Sequence, residues 1–134
     1  MPSSSTKSQP IESKERASLR NRVKRFYTHF DRGDYDYCFQ CIDPDLRKKG
    51  RVKQDVYIES LTAFRQAYSP IDIWHVKLSL HLETSKKNKP PFAFVYIFWR
   101  DKNQEFHVFQ ERWIKCDNKW YTRVAGLVVH EKVK

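Results

Sequence analysis

Apolar residues recur at helical spacing through the first half of the chain and at every second position after it. Leu19, Val23, Phe26, Tyr27 and Phe30 are separated by four, three, one and three residues, which is one stripe of a helix. Arg20, Arg22, Lys24 and Arg25 fall on the other side. Ser13 offers a capping oxygen, and Gly33 supplies the positive φ that ends a helix near Arg32. Asp34 then caps a short second helix, Tyr35 to Ile42, which Asp43-Pro44-Asp45 stops. Residues 46–53 read as a basic loop or a short ragged hairpin. Asp55 caps a third helix with Tyr57, Leu61, Phe64 and Tyr68 on one face. Ser69-Pro70 closes it, because the residue before proline avoids the helical region.

Beyond Pro70 the period drops to two. Trp74, Val76, Leu78, Leu80 and Leu82 alternate with Ile73, His75, Lys77, Ser79 and His81, predicting a strand with one buried and one largely wet face. Three further strands are expected over about 92–100, 105–116 and 119–130. If Asp117-Asn118 is a two-residue hairpin turn, Cys116 faces Lys119, Ile114 faces Tyr121 and Trp113 faces Thr122. If Lys102-Asn103 is the turn before it, Arg100 faces Glu105 as an opposite-charge pair. That register gathers Phe92, Phe94, Tyr96, Phe98, His107, Phe109, Glu111, Trp113, Trp120 and Thr122 on one face. Ala93, Val95, Ile97, Trp99, Phe106, Val108, Ile114 and Tyr121 take the other, with Gln110, Arg112 and Arg123 among them. Both faces are apolar, and helices can cover only one. A homodimer through Val95, Ile97, Val108, Leu127 and Val129 is therefore expected.

The fold class that follows is α+β, with N-terminal helices packed on a curved antiparallel sheet. Residues 1–12, rich in Ser, Thr and Pro, read as a disordered tail, and 13–134 as one domain. The segments Phe26-Tyr27-Thr28-His29-Phe30-Asp31-Arg32-Gly33-Asp34-Tyr35, Asp43-Pro44-Asp45-Leu46 and Glu111-Arg112-Trp113-Ile114-Lys115-Cys116-Asp117-Asn118-Lys119-Trp120 together resemble the nuclear transport factor two-like superfamily. In the last of these Asn118 stands where that family usually has glycine. The resemblance implies a cone whose sheet wraps the helices, a pocket at its wide end and a dimer through the open sheet face. It also implies a choice of roles, since such proteins include isomerases, dehydratases, epoxide hydrolases and transport adaptors. Their enzymes rely on acidic, His or Tyr groups in the pocket.

Aromatic residues make up 15% of the chain, enough to line a pocket with flat apolar surface. Tyr27, Tyr96, Phe109, Trp113 and Thr122 are the expected lining. His107 and Glu111 are the candidate acid and base; four residues apart on one strand, roughly 13 Å, they would act on different ends of one ligand. The net charge is +10, with seven Lys or Arg against two acids in the first 25 residues. Such a balance favours anionic partners. Arg47-Lys48-Lys49-Gly50-Arg51-Val52-Lys53 adds a basic run, but it carries no aromatic platform, so specific nucleic-acid binding is not expected.

Cys38-Phe39-Gln40-Cys41 is a lone CxxC. Zinc would need a second ligand pair, so the cysteines read as packing residues, and no metal or cofactor is expected. Arg112 and Arg123 fall as cross-strand neighbours and call for a counter-ion. The longest apolar run, Phe92 to Trp99, is too short for a bilayer. With three cysteines and no apolar leader, a cytoplasmic location is expected. Three functions remain: a homodimer binding a small apolar or aromatic molecule in its pocket, an isomerase- or dehydratase-like enzyme, or a basic interaction module.

Overall fold

The computed structural model describes residues 13–82 and 90–123. The expected tail at 1–12, the loop residues 86–89 and the apolar positions Val124 to Val129 lie outside them. Helix α1 spans Lys14–Asp31. The Ser13 hydroxyl accepts from Arg16 N at 3.2 Å, capping it. At its other end Gly33 takes φ 78°, Gly33 N donates to Phe30 O and Asp34 N to His29 O. This paired closure needs a residue free to adopt positive φ. Asp34 precedes α2 (Tyr35–Gln40) without capping it; its carboxylate meets His29 Nδ1 at 2.8 Å instead.

The Asp43-Pro44-Asp45 segment both stops α2 and starts a helix. Asp43 accepts from Asp45 N at 2.9 Å, Pro44 occupies a first-turn position, and α3 runs Pro44–Lys48 where a loop or hairpin was expected. Helix α4 spans Gln54–Tyr68, so Asp55 lies inside its first turn and Lys53 is the cap residue.

Four strands follow: β1 (Asp72–His81), β2 (Phe92–Arg100), β3 (Phe106–Cys116) and β4 (Lys119–Thr122). They form one antiparallel sheet in the order β1-β2-β3-β4. The α+β class is therefore as the sequence suggests. The β3–β4 register is too: Cys116 faces Lys119, Ile114 faces Tyr121 and Trp113 faces Thr122. Asp117 and Asn118 both take positive φ, as a tight primed turn requires.

The β2–β3 register is one residue away from expectation. Arg100 faces Phe106, Trp99 faces His107, Ile97 faces Phe109 and Val95 faces Glu111. The cause is loop length. Asp101 N donates to Glu105 O, Gln104 N donates to Asp101 O, and Gln104 sits at φ 66°. The loop is Lys102-Asn103-Gln104, a three-residue connection with a left-handed last position rather than a two-residue turn. One extra residue flips β2 over. Ala93, Val95, Ile97 and Trp99 are fully buried with Phe109, Trp113 and Trp120. Phe92, Phe94, Tyr96 and Phe98 face outward instead. Tyr96 is thus removed from the inner face assigned to it, and Val95 and Ile97 from the outer face.

A second irregularity lies in β1, where the pairing shifts between Ile73 and His75. This bulge turns Trp74 out, leaving it 55% exposed, while Val76 and Leu78 stay in the core. The helices supply Leu19, Val23, Phe26, Phe30, Leu61 and Phe64 to that core. Cys38 and Cys41 are buried within it as free thiols. Burial raises both thiol pKa values, which suits packing rather than thiolate chemistry.

Candidate functional site

Two polar clusters sit on the inner face of β3, with Phe109 between them. At the centre is Glu111, only 2% exposed. The Tyr27 hydroxyl, on the buried stripe of α1, donates to Glu111 Oε2. Trp113 Nε1 donates to Glu111 Oε1 at 2.8 Å. Burial, then the neighbouring Glu111 charge, hold the Tyr27 phenol well above its ordinary value near 10. Thr122 faces Trp113 across the β3–β4 pair. It is fully buried, and its hydroxyl has no hydrogen-bond partner.

Of the expected pocket residues, Tyr27, Phe109, Trp113 and Thr122 come together here and Tyr96 does not. The rings pack against rings. Tyr27 stacks on Phe109 at 5.7 Å, Phe26 meets Trp113 edge-on at 6.2 Å, and Phe109 touches Trp99 at 4.8 Å and Phe64 at 5.8 Å. Tyr27 also borders a hollow of about 280 Å³ with Lys24, Thr28, Asp31, Ile71 and Ile73.

The second cluster is at the β2–β3 loop. His107 Nε2 lies 2.8 Å from Asp101 Oδ2. The ring stacks on Trp99 at 4.3 Å and meets Tyr68 edge-on at 5.5 Å. Asp101 Oδ1 also accepts from Asn103 N and Glu105 N. Burial opposes the Asp101 charge, but His107 and the two backbone donors outweigh it and hold the carboxyl below its ordinary 3.8. A carboxylate holding a partly buried imidazole is the arrangement by which a histidine is oriented as a general base. The sequence reading missed Asp101, because the two-residue turn it assumed left that residue no role.

His107 and Glu111 therefore have separate partners and do not form one pair. Metal-ligating atoms of Asp101, Glu105 and His107 lie within 4.8 Å of one another, so these three could approach one cation. Asp101 is already committed to the loop and to His107, which accounts for the cluster without an ion.

The outer face carries a different chemistry. Phe92, Phe94, Tyr96 and Phe98 form a row along β2, paired with His81, Ser79, Lys77 and His75 of β1. On the other side lie Phe106, Val108, Gln110 and Arg112 of β3. Phe106 is 70% exposed and Val108 51%. The rings meet in two groups: His81 stacks on Phe92 at 4.8 Å and Phe92 meets Phe94 at 5.5 Å, while Trp74 touches Phe98 and Phe106. Cations lie against them, Arg112 over Phe92 at 4.5 Å and Arg100 over Phe106 at 5.8 Å. Asp72 is the one carboxylate among these described outward positions, and Arg100 pairs with it at 3.2 Å.

Arg112 and Arg123 are neighbours, as expected, with Arg123 N donating to Arg112 O. Their conflict is resolved within the chain. Arg123 reaches the buried Asp43 at 2.8 Å, and Arg112 turns onto Phe92.

No helix among the described residues is long and apolar enough to cross a membrane. No family model matches the chain, and no curated protein matches it. A solved structure does: the solution structure of a SEC-C motif containing protein from Rhodopseudomonas palustris. It matches at 18% identity and TM-score 0.41, over 73% of this chain and 69% of that one. The resemblance to the nuclear transport factor two-like superfamily is corrected: no family model matches the chain, and the solved structure that does match is described as a SEC-C motif containing protein. The residues that suggested it have local explanations: a glycine closure after α1, a proline-led cap for α3 and a tight β3–β4 turn.

Proposed function

We propose that this chain is a binding protein whose outer sheet face takes a single-stranded nucleic acid without strict sequence preference. The observation that carries the reading is the unbroken outward row Phe92, Phe94, Tyr96 and Phe98 on β2. Lys77, Arg100 and Arg112 flank it. Bases present π-faces to such rings and phosphates present charge to such cations, so the two features are complementary to one ligand. The net charge of +10 adds long-range attraction. The expectation that no aromatic platform accompanies the basic residues concerned the Arg47–Lys53 run taken with the basic first helix. The flipped β2 supplies one elsewhere. A small-molecule pocket has less support, because Tyr27, Phe109 and Trp113 are occupied by one another and by neighbouring rings. The free thiols suit a reducing, cytoplasmic setting.

A second reading has its own observation. Trp74, Phe106 and Val108 are each more than half exposed, an apolar patch that a second copy of the chain would cover, making a homodimer. Like charges on Lys77 and Arg112 oppose self-docking, which is why the polyanion is preferred.

The test is anisotropy of a labelled oligodeoxythymidine at two salt concentrations. Binding should weaken as salt rises, and Phe94→Ala and Phe98→Ala should each weaken it by roughly tenfold. Binding that ignores both ring deletions is generic attraction to a basic protein and sinks the reading. Sedimentation of the free chain decides the homodimer.

A further inference from the structure

A basic groove lies away from both polar clusters, between α1 and the β3–β4 turn. It encloses about 410 Å³, and no carboxylate is among its lining residues. Asn21, Arg22 and Arg25 line it from one face of α1, at the three- and four-residue spacing that stacks side chains along a helix. Asn118, Lys119 and Trp120 line it from the turn.

Arg22 is held in place before any ligand arrives. Its Nε donates to Trp120 O at 3.1 Å and one terminal nitrogen to the Tyr37 hydroxyl at 3.2 Å. Its guanidinium lies 5.7 Å from the ring centroids of both Tyr37 and Tyr121. These partners are neutral, so they fix the side chain without cancelling its charge. The ion pairs found among the described residues involve other cations: Lys49, Arg100, Lys115 and Arg123, with His29 and His107. A further observation points to a missing acceptor. Trp120 is 2% exposed, and its buried Nε1–H has no hydrogen-bond partner. A buried donor left unpaired costs free energy that an incoming oxyanion can recover.

We infer that this groove binds the phosphate group of a phosphomonoester, with Arg22, Arg25 and Lys119 carrying the charge and Asn21, Asn118 and the Trp120 indole donating hydrogen bonds. A planar guanidinium suits the paired oxygens of a tetrahedral dianion. The phosphate can belong to a small metabolite or to the end of a nucleic-acid strand, and the groove's chemistry is the same for both. The inference does not depend on the outer sheet face.

The experiment is a titration of the whole chain with inorganic phosphate at constant ionic strength, following the indole N–H signals of the four tryptophans by two-dimensional NMR. The Trp120 signal should move in a saturable way, while Trp74, on the outer face, stays still. Arg25→Gln and Lys119→Gln replace exposed side chains and leave the fold intact; each should weaken binding by roughly tenfold. Phe94→Ala should change nothing, which separates this site from the sheet face. Ribose 5-phosphate that binds as well as a 5′-phosphorylated oligonucleotide identifies a metabolite. Tighter binding of that oligonucleotide than of its unphosphorylated twin identifies a strand end. An equal response to chloride, or a titration unchanged by both substitutions, overturns the inference.

Discussion

Tyr27 and Glu111, 84 residues apart in sequence, share a hydrogen bond in the middle of the core. The bond joins the first helix to the third strand, and Trp113 donates to the same carboxylate from two residues along. Glu111→Ala would leave both donors buried without that acceptor. The expected cost is about 2–5 kcal/mol, read from denaturant unfolding. Glu111→Gln keeps an acceptor and should cost less. Because the Tyr27 phenol is raised in the folded state, its contribution is complete below pH 10 and is lost as pH climbs beyond it. Tyr27→Phe should flatten that alkaline loss; an unchanged alkaline limb would mean Tyr27 is not the group responsible.

Asp101 works in the opposite pH direction. Its carboxyl is held below 3.8 in the fold, so the stability it supplies is present above that value and disappears as pH falls through and below it. Asp101→Asn should cost about 1–2 kcal/mol at pH 7 and much less near pH 2. Unfolding curves of both proteins at the two pH values measure the difference. A gap of the same size at both would show that the charge contributes nothing.

Gln104 and Asn118 both occupy left-handed backbone at φ 66°, yet they should respond differently to glycine. Glutamine gains little from that conformation, so Gln104→Gly should stabilise by about 0.5–1 kcal/mol. Asparagine already tolerates it, so Asn118→Gly should stay near zero. Thermal melts of the two variants rank them, and the reverse order would contradict the loop geometry described for β2–β3.

Trp74 provides a control for the outer face. It is turned out by the β1 bulge, and Trp74→Ala should change stability by less than about 0.5 kcal/mol. The same substitution should weaken oligonucleotide binding. If instead it converts a sedimenting dimer to a monomer, the exposed rings serve a second copy of the chain.

The contrast between two hairpins shows how far the sequence could be read. Asp117-Asn118 carries its turn chemistry in the residues themselves, and the β3–β4 pairing followed. Lys102-Asn103-Gln104 does not, because glutamine is a poor signal for positive φ. The Arg100–Glu105 charge pair then favoured the wrong register. Since a one-residue slip exchanges faces, that single loop moved Tyr96 out and Val95 in, and with them the reading of which surface is open. The stripe of α1, the closure at Gly33 and the packing role of the CxxC were legible because each depends on near neighbours. The inner placement of Glu111 was legible from the last hairpin alone. Its bond to Tyr27 and the pairing of Arg123 with Asp43 depend on how distant segments meet, which no local pattern encodes.

Ile42 and Thr122 pair as an isolated parallel bridge, so the segment between α2 and α3 is completed by residues near the other end of the described chain. Asp43 N donates to Thr122 O, and Thr122 N to Cys41 O. During synthesis the helices emerge first. Leu19, Val23, Phe26, Phe30 and Phe64 then have no sheet to cover them until β2, β3 and β4 have been made. At ordinary ribosomal speed that interval is roughly 3–10 s between Tyr68 and Thr122. The nascent chain thus spends seconds with a sticky helical surface, the interval in which a chaperone that shields apolar segments would raise the yield of folded protein.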